Sequence, residues 1–73
     1  MIKIELETGG SVWKVLTKPG ERVEAGETLF ILEVMKMEVP YEAPIDGEVV
    51  AVHIAEGDVV EEDQLAVEIK NQN

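Results

Sequence analysis

Ile2, Ile4 and Leu6 share one parity near the start of the chain, with Lys3 and Glu5 on the other. That period of two puts one face of a strand on a core and the other in water. Strand-favouring residues then fill Val12 to Thr17 and Val49 to Ile54, short pieces surround Val23 and Val60, and apolar runs recur at Leu29 to Val34 and Leu65 to Ile69. Gly9-Gly10, Pro19-Gly20, Asp46-Gly47 and Glu56-Gly57 are turn signals between these segments. Pro40 and Pro44 confine Met37 to Ala43 to an edge or irregular strand, because proline cannot donate to a sheet ladder. No window sustains a helical period. About eight short strands with regularly spaced turns predict an all-β fold, a small sandwich or flattened barrel. Facing stays open in two strands: Val50, Val52 and Ile54 oppose Val49, Ala51 and His53, while Trp13 and Val15 oppose Val12, Lys14 and Leu16. Burial on both sides or a bulge fits either case.

The pattern occurs twice. A shift of 37 residues matches Gly10, Val12, Val15, Gly20, Val23 and Glu24 to Gly47, Val49, Val52, Gly57, Val60 and Glu61 without a gap. Ile4 then meets Tyr41 and Glu5 meets Glu42, so the copy reaches back to the first strand. If a pseudo-two-fold relates the copies, the segment joining them is Met35 to Glu38. Turn chemistry fails there. A two-residue hairpin that matches strand twist needs positive φ at its central positions and normally uses Asn-Gly, Asp-Gly or Gly-Gly. The sequence offers Val34-Met35-Lys36-Met37 instead. Local rules broken at one place in a consistent sequence point to a functional or strained site. Two methionines beside a lysine at a hairpin tip would also expose apolar surface that folding does not require, a hint of recognition by a partner.

Composition narrows the function. With 73 residues the chain makes one domain, residues 1–73, with little core to spare for a pocket. Sixteen acidic against six basic residues give a net charge of −10, which argues against nucleic acid and against an anionic membrane surface. The apolar runs are too short to span a bilayer as a helix, and the N-terminal alternation is unlike a signal peptide. The absence of cysteine removes disulfides and thiolate ligands and fits the cytoplasm; the single histidine, His53, builds no metal site by itself. No nucleophile–base pair or oxyanion arrangement can be assembled, so an enzyme in its own right is the least favoured class. Disorder is expected only at Asn71 to Asn73, and the acids read as a solubilising surface.

At the tip, Glu33-Val34-Met35-Lys36-Met37-Glu38 resembles the biotin attachment motif, in which a lysine between two methionines receives biotin. The resemblance to biotinyl domains runs the whole chain, through Gly20-Glu21-Arg22-Val23, Gly57-Asp58-Val59-Val60, Ala43-Pro44 and Asp46-Gly47. Departures occur at Val34, where alanine or serine is commoner, and at Asp63, where the second copy often has glycine as the first has Gly26. The related lipoyl domains usually flank their lysine with aspartate and alanine. The resemblance implies two four-stranded antiparallel sheets with internal two-fold symmetry, and a carrier that is not itself catalytic. It further implies that biotin protein ligase presents biotin as an acyl-adenylate to the ε-amine of Lys36. A lysine has an ordinary pKa near 10.4, so the ligase must remove a proton first. Met35 and Met37 would flank that encounter, and Glu33 would contact the ligase. Attached biotin would take carboxylate from a biotin carboxylase to a carboxyltransferase, the protein contributing position and reach. A monomer in isolation is expected. Members with an extra loop contacting biotin carry it between early strands; no such insertion occurs between Gly10 and Leu32.

Plainer readings stand beside these. Lys3, Lys14, Lys18 and Lys70 read as surface lysines, Trp13 as a packing residue and His53 as an incidental sheet residue. Met35 and Met37 could fill core, and Glu33 and Glu38 could be solvated strand charges. Two alternatives remain for the whole: a lipoyl carrier, or an unmodified β-barrel interaction module.

Overall fold

The computed structural model describes residues 1–71, and within them the alternation resolves into eight strands. These are β1 (Ile2–Glu5), β2 (Gly10–Val15), β3 (Arg22–Val23), β4 (Thr28–Val34), β5 (Met37–Glu42), β6 (Gly47–Val52), β7 (Val59–Val60) and β8 (Leu65–Asn71). They form two antiparallel four-stranded sheets, ordered β1-β8-β6-β3 and β5-β4-β2-β7. No ladder joins the two sheets, so the fold is an open sandwich and the flattened barrel does not close. β5 is an edge strand, as Pro40 requires. Among the described residues no helix is long and apolar enough to cross a membrane.

The 37-residue repeat is structural. It carries β2, β3 and β4 onto β6, β7 and β8, and β1 onto the later part of β5, so each sheet mixes strands from both copies. Connections obey it too. Gly20 N donates to Val49 O at 2.7 Å and Gly57 N to Val12 O at 2.8 Å; Gly26 N donates to Ala43 O at 2.8 Å and Asp63 N to Leu6 O at 2.7 Å.

Bulges at equivalent positions resolve the strand facing. The β2–β4 register skips Trp13 and the β6–β8 register skips Val50. The extra residue turns outward, leaving Val12 and Val49 in the core. Trp13 is therefore not the packing residue expected from sequence: it is 45% exposed, with Lys14 Nζ 5.6 Å from its ring centroid. A second bulge pair, at Leu29 and Ala66, lets the neighbours Leu29-Phe30 and Ala66-Val67 all be buried. Phe30 stacks on Tyr41 at 4.7 Å, and the Tyr41 hydroxyl accepts a hydrogen bond from Glu7 N at 3.0 Å.

Other expectations need correcting. β2 and β6 start two residues earlier than their apolar runs suggest, so Gly10 and Gly47 belong to strands rather than to turns. A Cβ on Gly10 would lie 2.7 Å from Glu33 O, and one on Gly47 2.5 Å from Lys70 O; close strand contact demands both glycines. Asn71 lies in β8 rather than in a disordered tail, and residues 72–73 fall outside the described residues.

The topology gives the sandwich two distinct ends. Gly47 pairs with Val23 and with Asn71, and the neighbouring Asp46 Oδ1 accepts from Ala25 N at 2.8 Å in the turn entering β4. Asn71, Ile2 (paired with Ile69) and the start of β4 therefore share one end. β4 then runs seven residues, roughly 20 Å at strand rise, to the other.

Candidate functional site

At that far end β4 turns into β5. Val34 and Met37 are the last ladder pair, so Met35 and Lys36 are the two loop residues. Their φ angles are 51° and 66°. Positive φ at both central positions is what the I′ hairpin requires, and each side chain there costs on the order of 1–2 kcal/mol over glycine. The pleat below holds the strained turn: Leu32 is fully buried, and Val34 and Val39 pack on the core.

The tip itself is free. Met35 is 90% exposed and Met37 67%, which removes core filling as their role. Lys36 is exposed and makes no hydrogen bond or ion pair among the described residues. Directly beneath, Glu33 and Glu38 are exposed and face each other across the β4–β5 ladder. Like charges directly opposite are unfavourable by roughly 0.2–1 kcal/mol. An apolar-flanked primary amine over an acidic step is thus presented in a fixed place. Such an amine can be acylated by an enzyme that brings both an activated acyl group and a base.

The remaining candidates lie elsewhere. Lys3, Lys14, Lys18 and Lys70 are exposed, as expected, but none sits in the tip. His53 lies just beyond β6, its Nε2 2.7 Å from Glu68 Oε2 on the opposite sheet from the tip. No group of three or more His, Cys, Asp or Glu among the described residues could hold a metal. Sequence reasoning missed a shallow hollow beside Lys36, lined by Gly9, Gly10, Ser11, Glu33, Val34, Met35 and Val59. One signal was available: Val59 occupies the repeat position of Arg22, an apolar residue where the first copy has a charge. Val59 is 84% exposed.

A family model described as "Biotin-requiring enzyme", of the biotin/lipoyl type, matches residues 3–69. The chain is 40% identical over 68 residues to a biotin/lipoyl attachment protein of Bacillus subtilis, covering 93% of both. It is 39% identical over 61 residues to the pyruvate carboxylase of that organism, covering 84% of this chain but 5% of the carboxylase. Among solved structures, the lipoyl domain of the 2-oxoglutarate dehydrogenase complex from Azotobacter vinelandii superposes with a TM-score of 0.88 at 25% identity, covering 100% of both chains.

Proposed function

The chain belongs to the biotin/lipoyl family of biotin-requiring enzyme domains, and from that premise we propose that Lys36 is its attachment residue and biotin the group it holds as an amide. The chain is a biotin carrier for a biotin-dependent carboxylase and is not itself a catalyst. The observation that carries the Lys36 assignment is the tip: an exposed, unpaired amine in a strained two-residue turn between exposed methionines.

The residues then have definable tasks. Lys36 Nζ, deprotonated within a biotin protein ligase, attacks the activated acyl carbon; the C–N bond forms as the activating group leaves. Met35 and Met37 bury against the ligase and exclude water, and Glu33 offers it an acceptor. The buried base of the hairpin fixes where the amine stands. Biotin held on Lys36 would supply a ureido nitrogen able to carry carboxylate between two active sites. The partners are biotin protein ligase, a biotin carboxylase and a carboxyltransferase, in the cytoplasm, with residues 1–73 acting as a single monomeric biotinyl domain.

The likeness to a lipoyl domain favours a second reading, lipoate on the same lysine. One experiment separates them. The chain is treated with biotin and a biotin ligase, then with a biotin carboxylase, ATP and labelled bicarbonate. Protein-bound label in the wild type and none in Lys36→Arg is the expected result. Modification by a lipoate ligase but not by a biotin ligase would replace biotin with lipoate.

A further inference from the structure

The hollow beside the tip has a chemistry of its own. Two of the most exposed large apolar side chains in the molecule, Met35 and Val59, border it, and neither is needed by the core. Between them run Ser11, which pairs with Val59 on one side and with Glu33 on the other, and the bare backbone of Gly9 and Gly10. The surface is thus apolar at two edges, with a carboxylate acceptor and a hydroxyl between. Lys36 itself lines the hollow, so anything attached to its amine starts there.

We propose that this hollow is a resting site for the biotin carried on Lys36. Glu33 accepts from a ureido N–H, the Ser11 hydroxyl donates to the ureido oxygen, and Val59 and Met35 cover the thioether ring and its aliphatic arm. A short tether holds its end group at an effective concentration in the millimolar range, so a site too weak to retain free biotin is occupied by the tethered one. The arm therefore alternates between this hollow and partner active sites, and it leaves the carrier surface each time it delivers its cargo.

This inference rests on the carrier reading above, and its test reports on the two separately. Amide NMR spectra of unmodified and ligase-biotinylated protein are compared after intact-mass measurement shows one biotin per chain. The expected result is shifted resonances at Gly9, Gly10, Ser11 and Val59, with nuclear Overhauser contacts between Val59 methyls and the biotin ring. Val59→Ser, at an exposed position, should still be biotinylated, lose those contacts and bring the Gly9 to Ser11 shifts at least halfway back to the unmodified values. Shifts confined to Val34 through Met37, with no ring contacts, overturn the resting site and leave the carrier reading intact. Absence of any adduct overturns both.

Discussion

At the residue scale, the backbone at Met35 and Lys36 works against stability for the sake of presentation. Both have the left-handed φ that glycine or asparagine adopts most readily. Met35→Asn combined with Lys36→Gly should raise the unfolding free energy by roughly 1–2 kcal/mol, read from urea titration, while abolishing attachment. A drop in stability would show that the turn is not strained. Asp63, with φ 69° at the repeat position of Gly26, offers an internal control. Asp63→Gly should be stabilising by about 0.5–1 kcal/mol with no change in biotin attachment. Much of this was legible in the sequence. Val34-Met35-Lys36-Met37 breaks the rule for a two-residue hairpin, and the repeat says where the hairpin must be. The exposure of both methionines follows from their place at that tip, although a hydrophobic residue at a strand end can face either way and core filling stood beside it until the structure showed both side chains outside.

At the element scale, the strands were legible from alternation and turn signals, but their registers were not. Gly10 and Gly47 looked like turn formers and proved to be strand residues, since the reason for each glycine is a backbone oxygen on a neighbouring strand. Gly10→Ala should cost on the order of 1–3 kcal/mol, because the Cβ would meet Glu33 O and the Val34 side chain rather than open space. A neutral result by thermal unfolding would contradict the close β2–β4 contact. The bulges at Trp13 and Val50 were equally hidden: a bulge is a count of residues on one strand against its partner, and sequence shows only one strand at a time. The hollow at Val59 depends on β2 pairing with β7, a contact between residues 10 and 60 that no local pattern announces. Across β4 and β5, Glu38→Lys should replace repulsion from Glu33 by attraction and stabilise by about 0.2–1 kcal/mol, a gain that shrinks as salt is added.

At the scale of the whole molecule, a small core and a net charge of −10 bear on the same balance. A chain this short has only about 3–5 kcal/mol to lose, and burying Leu32 completely makes it one of the residues on which that margin depends. Leu32→Ala, at roughly 2–5 kcal/mol, should remove most of that margin, read as a large drop in the urea midpoint by circular dichroism. Self-repulsion among the acids should make the melting temperature rise with ionic strength. The sandwich places Ile2 and Asn71 at one end and Lys36 at the other. Of the five lysines, Lys36 is the one proposed to carry biotin. The most direct test of that assignment is intact-mass and peptide-level mass spectrometry of the protein after saturating treatment with biotin, ATP and a biotin protein ligase. One biotin per chain, located on Lys36 and lost in Lys36→Arg, is the predicted result; an adduct on Lys3, Lys14, Lys18 or Lys70, or one that survives Lys36→Arg, would contradict it.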